Sequence, residues 1–379
     1  MRSDSYKERR VRLAGADDRP QLEDLWKRCF GDTDLFTSYY FDWYFPHNRV
    51  LVCEEDGRIL GQLHENEYDF SLYGQQVRLP YIVGVSTDAA VRGQGIMRSL
   101  LNRSLRDAAD RELPFVYLMP ADEAIYKPFG FAYMYAQDIW KRKAIRLGDP
   151  RAEALRTGRA SYAGITARKP SFDTAFAAAA AIGSGILEDC CDIFTQRDVW
   201  YLKRLAAENQ ADGGDFMLLY AEDGPAGYVS FSIEDEAEVR ELAFLPEYEK
   251  CVCSWFLEAF ADKDVLLLPM PGTSAFSDVQ KHPVIMGRIA HLSAFLSMLK
   301  PEEDVSLVIE LTDDIIAENS GCWRWTCKDG VCRAERAGEN EKPDLCLGAA
   351  DLLQMAMGYK EPAAPFPQIK CRIMINEIV

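Results

Sequence analysis

Hydrophobic positions in the first third of the chain predict a helix followed by an antiparallel sheet. Residues 17–31 carry apolar side chains at helical spacing, and Gly31 is a typical residue for ending a helix. Tight-turn signals then separate three strand-like runs, at residues 50–53, 58–70 and 77–87. We therefore expect a helix and a β-meander before the first glycine-containing loop.

The pattern after that loop completes a mixed domain. Apolar side chains from Ile96 to Leu105 fall on one face of a predicted helix. Three shorter elements follow: an apolar strand at residues 115–119, a brief helix around residues 122–127 and a final strand after Phe131. This order predicts one α/β domain, which we place at residues 1–145.

The middle third repeats the same outline more weakly. Glu222-Asp223-Gly224 resembles Glu55-Asp56-Gly57, and each triplet lies between strand-like runs. A proline-containing end to an apolar strand also occurs twice, at residues 118–120 and 268–271. The segment after Leu245 has no glycine, so we predict a degenerate second copy, at residues 146–284, that keeps the fold without the loop.

The last third, residues 285–379, has a different pattern. Residues 305–311 alternate strongly, two turn signals follow, and residues 349–357 have helical spacing. Residues 371–379 are apolar and strand-like. These features predict a small α+β domain.

Charge and composition narrow the class of partner. The 379 residues carry a formal net charge of −17, which argues against nucleic acid or an anionic membrane surface. The acidity fits a cationic acceptor, and it equally fits plain solubility. No apolar run approaches the roughly 20 residues of a membrane span. The oligomeric state stays open between a monomer and a homo-oligomer.

Cysteine and histidine spacings give no metal site. None of the eleven cysteines forms the paired spacing of a zinc site, and the four histidines have no partner at metal-binding spacing. The first residues lack the apolar core of a secretion signal. We therefore expect a cytoplasmic protein with reduced thiols and no metal.

Residues 85–97 carry the strongest chemical signal. A strand ends there, a basic loop with Gly93 and Gly95 follows, and a helix begins. Backbone N–H groups at such a helix start can bind a pyrophosphate, and Arg92 and Arg98 add positive charge. The alternative is an ordinary strand-to-helix turn, but the meander before the loop and the β-α-β finish after it favour phosphate binding.

This context closely resembles the GCN5-related N-acetyltransferases (GNATs). Their signature is Arg or Gln, two residues, Gly, one residue, then Gly or Ala; Arg92 and Gly95 match it, and Met97 departs from it. Residues 124–131, Ala-Ile-Tyr-Lys-Pro-Phe-Gly-Phe, look like the "I-Y-x-x-F-G-F/Y" segment of the enhanced-intracellular-survival (Eis) acetyltransferases. That family also tends to have a bulky residue where Met97 stands.

The resemblance implies a fold, a cosubstrate and a set of site residues. It implies tandem GNAT folds, the second without a cofactor loop, followed by a domain like a sterol carrier protein. Acetyl-CoA would be the cosubstrate, and Tyr126 and the carboxylate of Val379 would be the general acid and general base. The implied cofactor-binding residues are Val85, Ser86, Thr87, Arg92, Gly93, Gln94, Gly95, Ile96, Met97, Ala121 and Asp122.

Direct acetyl transfer to an amine independently requires an acid and a base. A free alkylammonium has a pKa of about 10.4 and must lose a proton before it can attack. The leaving thiolate benefits from a donated proton. Tyr126 could instead only pack against Phe129 and Phe131, the chain end could fray in solvent, and Glu377 competes with Val379 as the base.

Three functions remain open from the sequence. The first is an N-acetyltransferase acting on the amines of a small molecule, such as an aminoglycoside or polyamine, or of a lysine side chain. The second is a lipid-binding or carrier protein acting through the C-terminal domain. The third is a non-catalytic acyl-CoA sensor. Intact Arg92, Gly95 and Tyr126 favour the enzyme.

Overall fold

The computed structural model describes residues 9–338 and 340–377. Its contacts divide the chain into two compact units. The first combines the residues up to 136 with those from 283 onward, and the second comprises residues 137–282. The predicted division into residues 1–145, 146–284 and 285–379 remains a prediction.

The first unit begins with a short strand, two helices and a meander. The hydrophobic pattern predicts the first helix and the meander, but neither the strand nor the second helix. Helix α1 has Pro20 in its first turn, ends at the left-handed Gly31, and buries its apolar face. Its elements up to residue 133 are β1 (Arg10–Leu13), α1 (Arg19–Phe30), α2 (Asp34–Trp43), β2 (Arg49–Glu55), β3 (Arg58–Leu72), β4 (Gln75–Thr87), α3 (Ile96–Asp110), β5 (Phe115–Leu118), α4 (Glu123–Tyr126) and β6 (Ala132–Tyr133).

The second unit has the same sequence of elements at its centre. Its elements are β7 (Ala136–Arg142), α5 (Pro150–Arg156), β8 (Ser161–Tyr162), β9 (Ile165–Arg168), α6 (Asp173–Cys190), β10 (Ile193–Thr195), α7 (Val199–Ala211), β11 (Asp215–Ala221), β12 (Gly224–Ile233), β13 (Ala237–Phe244), α8 (Glu249–Ala259), β14 (Val265–Leu267) and β15 (Gln280–Pro283). Two helices, a three-stranded meander, a helix and a parallel strand recur in both units, so the predicted repeat is confirmed.

The chain then returns to the first unit. These last elements are β16 (Met286–Ile289), α9 (Leu292–Met298), β17 (Val305–Thr312), β18 (Gly321–Lys328), β19 (Val331–Arg336), β20 (Leu345–Gly348), α10 (Ala349–Ala356) and β21 (Ile373–Met374). Strands β17 to β20 form a separate sheet in the order β19-β18-β17-β20. This small α+β arrangement agrees with the sequence-based expectation.

The main sheet of the first unit includes β16, a strand that comes after the whole second unit in the sequence. Seven of its nine strands follow the order β1-β2-β3-β4-β5-β16-β6, so β16 lies between β5 and β6 and is antiparallel to both. The sequence pattern places residues 286–289 in the C-terminal segment and expects the final strand after Phe131 in the first domain. In the structure β6 belongs to this sheet, and the following strand, β7, belongs to the sheet of the second unit. Neither the insertion of β16 nor the sheet of β7 was predictable, because pairing between distant strands leaves no local signal.

One pair of cysteines differs from the expectation of reduced thiols. Cys327 and Cys332 face each other across the hairpin of β18 and β19 and form a disulfide, with Cα atoms 4.0 Å apart. The expectation is wrong for this pair because a two-residue turn brings residues five apart into register. No helix among the described residues is long and apolar enough to cross a membrane.

Candidate active site

The site is built on a divergence between two parallel strands. Strands β4 and β5 pair only at Tyr81 and Tyr117, and β4 then continues to Thr87 without further pairing to β5. Its other edge stays paired with β3 up to Thr87. The end of β4 therefore presents backbone groups that an extended ligand can pair with, like an added strand.

The loop after β4 places the N-terminus of α3 near the end of β4. Gly95 is the residue before α3 and has φ +80°, a left-handed conformation that favours glycine. The first N–H groups of an α-helix have no partner within the helix, and the helix dipole makes this end positive. Arg92 is exposed beside it, and its Nε donates to the Thr87 carbonyl at 3.3 Å.

Most of the predicted cofactor residues line one cavity of about 610 Å³ at this divergence. The predicted residues in its wall are Val85, Ser86, Thr87, Arg92, Gly93, Gly95, Ile96 and Met97. Sequence reasoning assigned no cofactor role to the other lining residues, Cys29, Phe30, Ile125 and Phe129. Arg98, also in the wall, supplies the second positive charge expected beside Arg92, and its guanidinium lies 5.3 Å from the Phe129 ring centre.

Three predicted residues lie outside that wall. The Gln94 side chain accepts a hydrogen bond from Arg9. Asp122 caps α4, because its side chain accepts from the Ala124 N–H at 2.9 Å, and both Asp122 and the preceding Ala121 are exposed. Their assignment to cofactor binding stays a prediction that the cavity does not support.

Tyr126 is the last residue of α4 and is not itself among the residues that line the cavity. Ile125 and Phe129 line the cavity, and the Tyr126 ring packs edge-on against Phe131 with ring centres 6.0 Å apart. Burial raises the pKa of Tyr126 above its ordinary value. Its hydroxyl is therefore protonated at neutral pH, as an acid that donates a proton must be.

A buried arginine from β16 fixes the segment after Tyr126. The Nε of Arg288 donates to the Phe129 carbonyl at 2.9 Å, and its Nη2 donates to Asp313 at 2.5 Å. Burial alone would raise the pKa of Asp313, but the hydrogen bond and charge of Arg288 hold it below its ordinary value. Gly130 has φ +76°, and a Cβ there would lie 2.7 Å from the Arg288 Nε. The Phe-Gly-Phe motif therefore needs its glycine to admit this guanidinium.

The described end of the chain is buried rather than frayed. The Ile375 N–H donates to the Tyr135 hydroxyl at 3.1 Å, and the same hydroxyl donates to the Ile375 carbonyl. Asn376 and Glu377, which follow, are each 3% exposed. Val379, the expected general base, lies outside the described residues.

The aromatic residues of α2 belong mainly to the core. Tyr40 is buried, stacks on Trp26 with ring centres 4.3 Å apart, and donates to the Asn66 side chain at 2.8 Å. His64 packs edge-on against both rings. Its burial lowers its pKa to about 3, so its ring is neutral. These contacts place the aromatic side chains of α2 in the core.

Comparison with known proteins agrees with this geometry. Residues 10–134 match the acetyltransferase (GNAT) domain family, and residues 292–365 match the sterol carrier protein domain family. The chain thus contains an acetyltransferase (GNAT) domain and a sterol carrier protein domain. The expected Eis-like arrangement, with the sterol carrier protein domain after the acetyltransferase part, is confirmed.

Several solved structures share the fold over nearly the whole chain. A probable N-acyltransferase of Enterococcus faecalis is 18% identical with a TM-score of 0.74, covering 93% of this chain and 90% of that one. A GCN5-related N-acetyltransferase of Kribbella flavida is 16% identical with a TM-score of 0.70, covering 93% and 89%. Eis1 of Mycobacterium abscessus is 15% identical with a TM-score of 0.69, covering 98% and 100%. The sequence has no significant match among curated proteins.

Proposed function

We propose that this chain transfers the acetyl group of acetyl-CoA to a primary amine of a cationic acceptor, which is an aminoglycoside, a polyamine or a lysine side chain. The observation that carries the proposal is the cavity where β4 leaves β5. It joins an unpaired strand end to a basic helix start, and these are the two features that an elongated ligand with a pyrophosphate requires.

The cavity wall supplies a partner for each part of that cosubstrate. Backbone groups of residues 85–87 would pair with the amides of the pantetheine arm. The N–H groups at the start of α3, with Arg92 and Arg98, would bind the pyrophosphate. Ile125 and Phe129 add apolar surface to the cavity wall.

Tyr126 would act as the general acid. The neutral amine attacks the thioester carbonyl, the carbon–sulfur bond breaks, and the departing sulfur takes a proton from the Tyr126 hydroxyl. Ile125, the residue before Tyr126 in the sequence, lines the cavity, and this proximity supports the role. The hydroxyl carries at neutral pH the proton that a general acid must donate.

A carboxylate at the end of the chain would accept the proton of the ammonium. The candidates are the terminal carboxylate of Val379 and the side chain of Glu377. Two observations support a role for this segment: Glu377 is buried, and the backbone of Ile375 is hydrogen-bonded to Tyr135, two residues after β6. A buried carboxylate also attracts a cation, so the base would help to bind the acceptor as well.

A thiol-release assay tests the proposal. The protein is mixed with acetyl-CoA and, in turn, spermidine, kanamycin and a lysine-containing peptide. We expect release of free coenzyme A with at least one amine, and mass spectrometry should show a gain of one acetyl group per thiol released. Peracetylated spermidine is the matched control without a free amine. Release no faster than hydrolysis with every amine would reject the proposal.

The sterol carrier protein match suggests a second candidate function, lipid binding or transport through the C-terminal domain. That match covers residues 292–365, and a fold of this kind does not by itself give a function. Extraction of the purified protein followed by mass spectrometry separates the candidates. Bound coenzyme A supports the enzyme, and bound lipid supports a carrier.

A further inference from the structure

A second cavity lies at the equivalent divergence in the second unit. The parallel pairing of β13 and β14 ends at Val239 and Leu267, and the strands then separate. A cavity of about 260 Å³ opens beyond that point. Its walls come from the end of β13, the start of α8, the chain after β14 and one face of α6.

The cavity has lost the features that would hold a pyrophosphate. The loop before α8 is Pro246-Glu247-Tyr248, without glycine, and Glu249 is the first residue of the helix. The Glu249 carboxylate accepts from the Ser274 N–H at 3.1 Å and from the Thr273 hydroxyl at 3.1 Å. These hydrogen bonds lower the pKa of Glu249, so a fixed negative charge stands where an anionic ligand would have to bind.

The surroundings of Gly185 indicate that the cavity is open beside α6. A glycine within a helix is less favourable than alanine, so its presence usually has a packing reason. Gly183 has such a reason, because a Cβ there would lie 2.6 Å from the Tyr228 hydroxyl. A Cβ at Gly185 would meet no atom within 4 Å. Gly185 borders the cavity instead of packing against a neighbour.

We propose that this cavity is a second ligand site, which binds a small amine with an apolar body. The apolar body would lie among Ile182, Phe244 and Met270, and the ammonium would pair with Glu249. The charged side chains in the wall are the acidic Asp189 and Glu249, so charge complementarity selects a cation over a neutral molecule or an anion. The volume suits a single-ring amine rather than a polyamine or an aminoglycoside.

Three probes that share one apolar body test the charge preference. They are 2-phenylethylamine, 2-phenylethanol and 3-phenylpropanoate, titrated calorimetrically into the full chain without acetyl-CoA. We expect the amine to bind about tenfold more tightly than the alcohol, which is the range of one charge-assisted hydrogen bond, and the carboxylate to bind least. Equal affinities, or no binding of the amine, would overturn the proposal.

Substitutions in the second unit locate the binding. Glu249→Gln should reduce the affinity for the amine to that for the alcohol, while Glu247→Gln on the same turn should leave both affinities unchanged. Gly185→Leu should abolish binding of both probes by filling the cavity, and leucine is a better helix former than glycine, so folding is preserved. Unchanged amine binding in Gly185→Leu would show that the amine binds elsewhere.

Cys190 provides an independent readout of occupancy. Its thiol lies in the cavity wall, and a Cβ at Gly272 would approach its Sγ to 2.7 Å. Alkylation of Cys190 by iodoacetamide, followed by peptide mass spectrometry, should slow in saturating amine and not in coenzyme A. Protection by coenzyme A would instead indicate a cofactor site. None of these measurements uses acetyl transfer, so their failure is distinct from failure of the proposed reaction.

Discussion

The hydroxyl of Tyr135 is hydrogen-bonded to both backbone polar groups of Ile375, 240 residues away in the sequence. It accepts from the N–H at 3.1 Å and donates to the carbonyl. Tyr135 follows β6 closely, and Ile375 begins the buried end of the described chain. One side chain thus fixes the position from which the last residues extend.

Tyr135→Phe should therefore lower kcat. The variant keeps the ring but leaves the buried N–H of Ile375 without this partner, at a cost of about 1–3 kcal/mol. We expect kcat to fall about tenfold, because the carboxylate-bearing segment leaves its position part of the time, while the KM for acetyl-CoA stays unchanged. Tyr133→Phe makes the same chemical change two residues earlier and should stay near wild type. A wild-type kcat in Tyr135→Phe would show that the Tyr135 hydroxyl does not position the end of the chain for catalysis.

Two alterations of the chain end distinguish the candidate bases. Two glycines appended to Val379 would displace the terminal carboxylate by several ångströms, and Glu377→Gln would neutralise the side chain without moving it. Loss of kcat in the extended protein, with acetyl-CoA affinity intact, assigns the base to Val379. An inactive Glu377→Gln beside a fully active extension assigns it to Glu377. Full activity in both variants would show that the base lies elsewhere.

Tyr126→Phe should reduce turnover by about 10²–10⁴, the usual contribution of a positioned general acid. The ring that packs on Phe131 is kept, so the thermal midpoint and the affinity for acetyl-CoA should hardly change. Stopped-flow or steady-state thiol release measures the effect. Tyr248→Phe, which removes a hydroxyl from the second unit, is the matched control. A kcat within threefold of wild type would show that Tyr126 only packs and is not the general acid.

Arg92→Glu should abolish the rise in thermal midpoint that acetyl-CoA gives the wild-type protein. A ligand that binds only the folded state stabilises it by mass action, and the substitution sets a negative charge against the pyrophosphate. Arg106→Glu makes the same charge change on the exposed face of α3 and is the control. The expected result is a full shift in Arg106→Glu and none in Arg92→Glu. Equal shifts in both variants would contradict the loop assignment.

His64 should make the fold sensitive to mild acid. Its pKa is lowered to about 3 by burial, whereas an unfolded histidine titrates near 6.5. As the pH falls below about 6.5, the unfolded chain takes up a proton that the folded chain cannot, so stability is lost progressively toward pH 3. By pH 5 this one group should cost about 2 kcal/mol.

Urea unfolding at pH 7 and pH 5 measures the loss of stability. His64→Gln should show a smaller decrease in the free energy of unfolding between the two pH values than wild type. The exposed His282→Gln should retain the wild-type decrease. The same decrease in all three proteins would mean that His64 is not the responsible group.

Local signals predicted α1, the meander and the loop before α3, because hydrophobic spacing, turn residues and glycines act within a few positions. They missed α2, although Asp34, Ser38 and Asp42 give it an exposed polar face at helical spacing and Thr33 caps it by accepting from the Phe36 N–H. They also missed the contribution of Arg288 and Tyr135 to the site. The partners of these two residues lie 159 and 240 residues away, and a single sequence carries no signal of such pairs.

The insertion of β16 between β5 and β6 has a consequence for synthesis of the chain. The matched acetyltransferase domain ends at residue 134. The ribosome must translate about twice that length before residues 286–289 exist to pair between β5 and β6. Until then, β5 lacks its partner and exposes an unpaired edge, which is a template for aggregation. Expression of residues 1–145 alone would leave that edge permanently open, so a soluble catalytic fragment must include the later strand.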